Sequence, residues 1–465
     1  MTIAPTRKAF AVWFKDLDLW SVNSFFRPHW RWPLKYIEPL GEALERRFET
    51  VDLAAKAAGL TPLITLRFDG SMELRNARTE DIKGGLFSAY AGDLVFSRID
   101  VRNGAIGIVP EQLPHVAVSN EFPVYHVRPE KALTEYVHLL VRSTLFRGVL
   151  NSLISGASGR KRVQATQFES IQVPLPPLET QRAIVDYWHC AQHAQQEAEA
   201  RIAAHEAAID TQFLADLGIE RRAKIQRPKF FAAYWKGLER WSFDSALDKV
   251  LGLHDSASAS YPHVNLGSVA TVSYGIQKSP ANRPGQHPRP YLRVANVRRG
   301  YLDLSEIKYI NVPDSEMETY RLKPGDILFV EGNGSRAELG RVAKWNGEIE
   351  DCVHQNHLIK VRVDQQQLSP EYAMIWFNSE EGRKHFFRSM KTSSGLGTIN
   401  SNEVRSAPIP LPSLEVQEAI LTKVFTGRAA IAQERETMQA DAERARSTVE
   451  AMILGTHPVP QPTSG

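Results

Sequence analysis

Apolar residues follow two different patterns along the chain, and each pattern predicts a different kind of element. Short runs rich in β-branched residues and bounded by Gly, Pro or Asn are typical of strands. Four such runs are DLVFSRI (93–99), AIGIV (105–109), DILFV (326–330) and LIKVRV (358–363). Two longer regions, 178–217 and 414–454, are rich in Ala, Glu and Gln and predict helices. Strands and helices together predict a mixed α/β fold.

Each predicted helix has a narrow apolar seam with a repeat of seven residues. In the first helix the seam contains Trp188, Ile202 and Ile209, on a row that also holds Gln195. In the second helix one row holds Val424, Ile431, Met438, Ala445 and Met452, and its neighbour holds Leu421, Ala442 and Val449, interrupted by Arg428 and Arg435. Gly427 is a weak point in the second helix, and Gly218 and Gly455 are stop signals. We expect the helices to pair as an antiparallel coiled coil; the alternative is that each packs separately on its own half.

The two helices begin with the same motif, which indicates an internal duplication. PLPPLETQ (174–181) returns as PLPSLEVQ (410–417), 236 positions later, and the match extends without a gap over 157–184 and 393–420. Upstream, YAGDLVFSRIDVRNGAIGIV (90–109) resembles KPGDILFVEGNGSRAELGRV (323–342), and WSVNSFF (20–26) echoes WSFDSAL (241–247). Landmarks in the same order predict two copies of one plan: a globular segment, a proline hinge and a long helix.

This plan gives the expected domain boundaries. The first globular domain covers 1–177 and the first long helix 178–218; the second domain covers 219–413 and the second helix 414–455; a disordered tail follows at 456–465.

Composition narrows the class of protein. The 465 residues are 43% hydrophobic and 23% charged, without an apolar run of 18 residues and without a basic-then-apolar leader. We therefore expect a cytoplasmic protein that is neither exported nor inserted in a membrane. Two cysteines, Cys190 and Cys352, exclude a disulfide framework. The net charge of +3 permits nucleic-acid binding, and 219–240 holds seven basic residues against two acidic ones, although a solvated linker has the same composition.

No set of residues with catalytic spacing is evident. The chain has no GxGxxG opening a helix and no P-loop, and EGNGSR (331–336) lacks the lysine of a nucleotide loop. HQNH (354–357) lacks a third metal ligand, so we interpret it as structural. Asp326 and Glu331 are not followed by the lysine of a nuclease site. We expect neither catalysis nor a bound metal.

Two glycine-containing loops at equivalent places in the halves are candidates for reading DNA. Base edges are read by hydrogen-bonding side chains, while phosphates attract Lys and Arg. The candidates are Arg98, Arg102 and Asn103 in the first loop, and Asn333, Ser335, Arg336 and Arg341 in the second. Arg160, Lys161 and Arg162 are candidate phosphate contacts, and Gln277 and Lys278 lie on a further polar loop. Each loop can equally be a surface hairpin with solvated polar residues.

The hinges PLPPLETQRAIV and PIPLPSLEVQEAIL and the strands GDLVFSR and GDILFVE resemble the specificity (S) subunit of type I restriction–modification systems. The resemblance extends over about 20–455. It implies two target recognition domains, each reading one half of a bipartite double-stranded DNA target, and an antiparallel coiled coil that sets the spacing between them. The seam residues Trp188, Ile202, Ile209, Val424, Ile431, Met438 and Val449 would form this coiled coil.

The resemblance also implies partners. Two methyltransferase (M) subunits would dock around the helices and restriction (R) subunits would join them. S-adenosylmethionine, ATP and Mg would belong to those partners, so this chain would be non-catalytic and without a cofactor. One departure is Glu331, which stands where the first half has Arg98.

Two other functions are consistent with a duplicated chain. One is a scaffold whose repeated domains bind protein, and the arginines of both loops argue mildly against it. The other is a self-sufficient DNA-modifying enzyme, such as a nuclease or methyltransferase, and the absence of a cofactor loop argues against it.

Overall fold

The computed structural model describes most of the chain and divides it into two compact units. The described residues are 30–52, 61–75, 84–153, 162–219, 232, 250, 260–279, 283–333, 338, 340–389, 391–393 and 396–460. The first unit comprises 1–199 and 436–465, and the second comprises 200–435. The landmarks WSVNSFF and WSFDSAL, and most of the basic stretch 219–240, lie outside the described residues.

The first unit is built on a four-stranded antiparallel sheet in the order β2-β9-β6-β7. Its strands are β1 (Ile37–Pro39), β2 (Leu44–Arg47), β3 (Ile64–Leu66), β4 (Met72–Leu74), β5 (Leu86–Tyr90), β6 (Leu94–Phe96), β7 (Ile106–Ile108), β8 (His115–Ser119), β9 (Val124–Val127) and β10 (Gln172–Pro174). Its helices are α1 (Thr134–Arg142), α2 (Thr144–Leu153), α3 (Ala165–Glu169) and the first part of α4 (Leu178–Asp216), with 3-10 turns at Leu34–Tyr36, Leu40–Ala43 and Val101–Asn103.

The second unit repeats this sheet in the order β12-β19-β15-β17. Its strands are β11 (His263–Asn265), β12 (Ala270–Tyr274), β13 (Pro288–Leu292), β14 (Lys308–Asn311), β15 (Ile327–Val330), β16 (Gly332–Asn333), β17 (Val342–Lys344), β18 (Val353–His354), β19 (Leu358–Val363), β20 (Lys391–Ser393), β21 (Leu396–Thr398) and β22 (Pro408–Pro410). Its helices are the last part of α4, α5 (Asp314–Tyr320), α6 (Pro370–Asn378), α7 (Glu380–Ser389), α8 (Ser401–Arg405) and the first part of α9 (Leu414–Leu454), with 3-10 turns at Leu266–Ser268 and Val294–Asn296.

The four predicted strands are confirmed as β6, β7, β15 and β19. All three residues of β6 and all four of β15 are buried, as their uninterrupted apolar sequences require. Outside the repeated sheet the units differ, because β5 pairs with β8 antiparallel whereas β13 pairs with β18 parallel.

The Gly-Asp pair before the buried strand has a structural role in both units. Asp93 and Asp326 are buried, and each accepts a hydrogen bond from the backbone N–H three residues earlier, at 2.9 and 2.7 Å. Arg47 on β2 donates to Asp93 at 2.9 Å, and Arg362 on β19 donates to Asp326 at 2.7 Å. These bonds raise the pKa of both arginines above the usual range. Asp326 is therefore held within the fold, not offered as a nuclease carboxylate.

The glutamine of the first hinge motif is a buried clamp. Gln181 Oε1 accepts a hydrogen bond from the Leu133 N–H at 2.9 Å. Its Nε2 donates to the Lys131 carbonyl at 3.0 Å and to the Pro176 carbonyl at 2.7 Å. The amide thus joins the start of α4 to the hinge and to the loop that precedes α1. Because the side chain is fully buried, all three bonds are needed to offset its desolvation.

The second hinge repeats this clamp bond for bond. Gln417 Oε1 accepts from the Ser369 N–H at 2.8 Å, and Nε2 donates to the Gln367 and Pro412 carbonyls, each at 2.9 Å. Every partner lies 236 positions after its counterpart in the first unit. The repeated octapeptide is therefore explained by one buried amide that fixes each long helix to its own globular domain.

A tyrosine completes each clamp. Tyr136 on α1 donates its hydroxyl to the Pro174 carbonyl at 3.0 Å, and Tyr372 on α6 donates to the Pro410 carbonyl at 2.8 Å. Burial raises the pKa of both hydroxyls far above the usual range, so both remain donors. The prolines that exclude helix from the hinge also leave their carbonyls free to accept these bonds.

The two long helices have the predicted bounds to within one residue, and both end at the predicted glycines. Gly218 and Gly455 have φ of +70° and +77°. In each case the glycine N–H donates to the carbonyl three residues back, at 2.8 and 3.0 Å. The next N–H donates to the carbonyl five residues back, at 2.9 Å in both helices. This is the Schellman geometry, in which a left-handed glycine closes the helix.

The helices pair with each other in antiparallel orientation, as predicted. In the first unit Ile184, near the start of α4, shares a hydrophobic core with Met452, near the end of α9. In the second unit Leu214, near the end of α4, shares a core with Leu421, near the start of α9. The alternative, in which each helix packs separately on its own half, is excluded. Of the predicted seam residues, Ile202, Val424, Ile431 and Val449 are buried, and Trp188, Ile209 and Met438 are partly buried.

The second row of the α9 seam agrees with the prediction in part. Leu421 and Val449 are buried and Ala442 is partly buried, whereas Arg428 and Arg435 are exposed. Where the arginines turn outward, Gly427, one position before Arg428, lies inward and is partly buried.

Gly427 is a packing position and not only a weak point. A Cβ atom at this residue would lie 2.8 Å from Cδ1 of Ile209, which is too close for two carbon atoms. The glycine therefore makes room for the isoleucine of the facing helix. Its cost in helix propensity, about 1 kcal/mol relative to alanine, is offset by this closer packing.

The expected tail also requires correction. Val459 packs against the hydrophobic core of the first unit, so the ordered chain extends beyond 455 to at least Pro460. None of the helices in the described part of the chain has the length and apolarity of a membrane span.

Candidate nucleic-acid interface

One backbone arrangement occurs in each unit where the buried strand of the repeated sheet ends; we call it the strand-end junction. In the first unit Arg98 follows β6. Its N–H donates to the Glu121 carbonyl at 3.0 Å, and its own carbonyl accepts from the Val163 N–H at 2.9 Å. The junction thus joins three chain segments at one residue.

The second unit has the same junction at Glu331, which follows β15. Its N–H donates to the His357 carbonyl at 3.1 Å, and its carbonyl accepts from the Ile399 N–H at 2.8 Å. Identical hydrogen bonds to the segments before β9 or β19 and before α3 or α8 place the two side chains in equivalent frames. Arg98 and Glu331 are therefore structural counterparts of opposite charge.

The side chains of the first junction form a partly exposed ionic group. Glu121 pairs with Arg162 at 3.0 Å, and both side chains are about one-third to one-half exposed. Arg98 is partly buried, and its Nε has no hydrogen-bond partner among the described residues. An unpaired buried donor costs free energy on the order of 1–3 kcal/mol, which a ligand acceptor would recover.

The second junction lines an open cavity of about 340 Å³. His357 Nδ1 lies 2.7 Å from Glu331 Oε2, and Thr398 and Asn400 also line the cavity. Asn400 also caps α8, because its Oδ1 accepts from the N–H groups of the first turn. The cavity therefore presents a carboxylate on a rigid frame.

The candidate loop of the first unit is held by backbone contacts beyond the junction. The 3-10 turn Val101–Asn103 ends at Gly104, whose φ is +100°. A Cβ there would lie 2.2 Å from the Phe68 carbonyl oxygen of the β3–β4 hairpin, so only glycine allows this approach. Arg142 donates to the Gly104 carbonyl at 3.2 Å, and burial lowers the pKa of its guanidinium. Arg142 therefore supports the loop from below.

This rigid loop carries two of the predicted DNA-binding residues. Arg102 is exposed on the turn. Asn103 is also exposed, and its Nδ2 donates to Asp100 Oδ1 at 3.3 Å. The three predicted residues of this loop, Arg98, Arg102 and Asn103, therefore lie within one six-residue segment.

The candidate loop of the second unit is built differently. Asn333 lies on β16, which pairs with β21 of the β20–β21 hairpin. Arg341 is almost wholly buried and donates to Glu338 Oε2 at 2.9 Å and to the Val294 carbonyl at 3.1 Å. The Arg341 guanidinium thus stabilises the loop from inside the fold. The prediction that Arg341 is exposed to DNA is wrong.

Of the other predicted DNA-binding residues, one lies at the first junction, two lie on an exposed loop and four are outside the described residues. Arg162 is brought to the first junction by its pair with Glu121. Gln277 and Lys278 are exposed just after the bridge between Ile276 and Gln355. Arg160, Lys161, Ser335 and Arg336 lie outside the described residues.

The histidine pair of HQNH separates into two environments. His354 is fully buried on β18, and burial lowers its pKa to about 3. His357 is exposed and belongs to the junction. Within the described ranges no group of three or more His, Cys, Asp or Glu side chains is arranged to hold a metal. Burial raises the pKa of the Cys352 thiol to about 12, so this cysteine is inert.

Sequence reasoning missed Glu121 and His357 as members of the site. They lie 236 positions apart, directly before the segments that carry β9 and β19. The alignment of the halves stopped short of these segments. An alignment of these segments at the 236-residue offset of the hinges pairs Glu121 with His357.

Comparison with known proteins agrees with this architecture. The family model of the type I restriction modification DNA specificity domain matches residues 83–190, which contain the first junction and the first hinge. The EcoKI specificity subunit of Escherichia coli (strain K12), a type I restriction enzyme subunit, is 25% identical over 305 residues. The chain is therefore similar to type I specificity subunits.

The relatives in this family are similar over part of their length. The match to the EcoKI subunit covers 64% of this chain and 59% of that protein. The StySPI specificity subunit of Salmonella potsdam is 24% identical over 304 residues, with the same coverage of 64% and 59%. The matched region thus spans about three-fifths of each relative.

A solved chain from a study of complex assembly and conformational transition in the type I R-M system shares the fold. It is 16% identical, and the superposition covers 92% of this chain and 98% of that chain with a TM-score of 0.58.

Proposed function

We propose that this chain is a type I specificity subunit that reads a bipartite DNA target, one half-site with each unit, and performs no chemistry itself. The observation that carries the proposal is the pair of strand-end junctions. Their backbone hydrogen bonds are the same, yet Arg98 in one stands where Glu331 stands in the other. A reader of two different half-sites needs one scaffold with different hydrogen-bonding groups at equivalent places.

We further propose that the chain directs partner subunits to this target. Two methyltransferase subunits and the restriction subunits would assemble on it, and S-adenosylmethionine, ATP and Mg would be bound by those partners. The support is similarity, since the relatives carry the name of type I restriction enzyme specificity subunits. The paired helices offer rigid exposed faces for docking.

Selection from a randomised duplex library tests DNA reading directly. The purified full-length chain, alone and with its methyltransferase partner, would be incubated with the library, and bound duplexes would be sequenced. We expect two short blocks of fixed bases around a gap of fixed length and free sequence. Binding should weaken steeply as salt rises, because phosphate contacts release counterions. One continuous block, or no enrichment with either sample, would refute the proposal.

Insertion of one heptad into both α4 and α9 tests how the gap is set. A heptad adds about 10 Å to a helix, which is about 3 base pairs of B-DNA. We expect the gap to change while the bases in both blocks stay the same. The control is the same insertion in one helix alone, which puts the seams out of register and should reduce binding. Altered bases with an unaltered gap would contradict this role of the helices.

A further inference from the structure

We propose that the side chains of the strand-end junctions determine one base in each half-site, with opposite chemical preferences. This inference rests on the proposed function. The Arg98 guanidinium selects a base edge with two acceptors, which is guanine in the major groove. The Glu331 carboxylate selects an exocyclic amine, the donor of cytosine or adenine.

The equivalence of the two positions comes from the backbone. Each junction residue donates to the segment before one strand and accepts from the segment before one short helix, and all four bonds measure between 2.8 and 3.1 Å. Because a strand-end side chain is directed by its backbone, Arg98 and Glu331 occupy the same position relative to their sheets. The two units therefore present different functional groups, a guanidinium and a carboxylate, at equivalent positions of the same fold.

The fold itself does not require either charge. Where a buried side chain bonds to the backbone, the two units have the same residue: Asp93 and Asp326 in the turn, Gln181 and Gln417 in the clamp. At the junction an arginine is replaced by a glutamate without loss of any backbone bond. The backbone bonds of the junction therefore do not depend on the identity of this side chain, as expected of a position that contacts a ligand.

The neighbour of each junction residue is also exchanged. Glu121 in the first unit stands where His357 stands in the second. Each junction thus combines one basic and one acidic group in reversed order. Arg162 already pairs with Glu121 at 3.0 Å, whereas the Arg98 Nε has no partner in the described part of the chain. Because this Nε is buried, a base or a phosphate would reach it only after the Arg98 side chain moves.

Both junctions are open to a ligand. The side chains of Glu331 and His357 are 25% and 56% exposed, and they lie on the cavity of about 340 Å³ with Thr398 and Asn400. In the first unit Glu121 and Arg162 are exposed to a similar degree. A base edge could therefore reach either junction without unfolding of the loops.

The test exchanges one junction for the other. The full-length double variant Arg98→Glu with Glu121→His carries the second unit's chemistry in the first unit, and it would be subjected to selection from the randomised duplex library. We expect one position of one half-site to change from guanine to an amine-bearing base, with a shift in preference of about 10- to 100-fold. The other half-site should be unchanged.

Single variants keep the test decisive if the double variant does not fold. Arg98→Gln should relax one position in one half-site, and Glu331→Gln should relax one position in the other. The matched control is Glu306→Gln, which removes an exposed carboxylate paired with Arg293 at 2.9 Å, outside the junction. It should leave every selected base unchanged.

The outcomes separate this inference from the proposed function. If the wild-type chain selects no split motif, the function itself fails and the inference fails with it. If the wild type selects a split motif while neither single variant alters a selected base, the junction side chains do not determine bases, and the inference alone is overturned.

Discussion

The two units of this chain agree where the fold is held together and differ where it opens to solvent. Their clamps are identical in residue, bond and spacing, from Gln181 and Tyr136 to Gln417 and Tyr372. Their strand-end junctions share a backbone but carry Arg98 in one unit and Glu331 in the other. The comparison teaches that a duplicated scaffold can be rigid and still leave a few positions free for divergent recognition.

The strongest way to break the comparison is to remove a clamp. Gln181→Ala and Gln417→Ala each leave one backbone N–H and two carbonyls, one of them buried, without their partner. We expect each change to lower the free energy of unfolding of its unit by about 3 kcal/mol. Thermal and denaturant unfolding would measure the loss, and Gln212→Ala, which removes an exposed amide that donates to Asp216 at 2.8 Å, is the control. Unequal losses in the two units would show that the clamps are not equivalent.

Acidification destabilises the second unit through His354, as it does the first unit through His138, whose pKa burial lowers to about 4. An unfolded imidazole has a pKa of about 6.5, whereas burial lowers that of His354 to about 3. As pH falls below 6.5 the unfolded chain binds a proton that the folded chain does not, so stability is lost. At pH 5 the loss is about 2 kcal/mol. Unfolding at pH 7 and pH 5 should show a smaller difference in His354→Gln, and an equal difference would contradict this assignment.

Removal of one hydroxyl tests the clamp more gently. Tyr136→Phe and Tyr372→Phe keep the buried ring but leave the carbonyls of Pro174 and Pro410 without a donor. We expect each to cost about 1–2 kcal/mol. Denaturant midpoints of the two variants should shift by similar amounts. If the midpoint shifts in only one of the two variants, the tyrosine bonds contribute unequally to the stability of the two units.

The smallest effect is expected on the exposed face of the helix pair. Arg201 on α4 donates to Glu434 on α9 at 3.0 Å, and the arginine side chain is more than half exposed. Exposed ion pairs contribute little, so Arg201→Ala should change stability by no more than about 0.5 kcal/mol. The unfolding midpoint measures it. A loss as large as that in the clamp variants would mean that the pairing depends on surface charges and not on its apolar seam.

Elements with a strong local signal could be predicted from sequence. The bounds of α4 and α9 follow from the proline hinges and from Gly218 and Gly455, because each of these residues controls the backbone locally. The buried strands β6 and β15 follow from uninterrupted apolar runs. These signals depend on nearest neighbours in sequence, so no tertiary information is needed.

The site depended on contacts that sequence does not display. Arg341 has the composition of a DNA-binding residue, yet Glu338 and the Val294 carbonyl hold it inside the fold. Gln417 was interpreted as part of a helix start, although its amide binds residues about 50 positions away. The inward row of α9 includes Gly427 because Ile209 on the facing helix needs the space. Each case is decided by a partner distant in the chain.

Methylation mapping tests the central claim most directly. The full-length chain would be co-expressed with its methyltransferase partner in a host whose DNA carries no methylation, and modified bases would be mapped at single-base resolution. We expect methylation within a split motif, two short blocks around a nonspecific gap, that disappears when this chain is omitted. Methylation that is identical with and without the chain, or that follows one continuous motif, would contradict it.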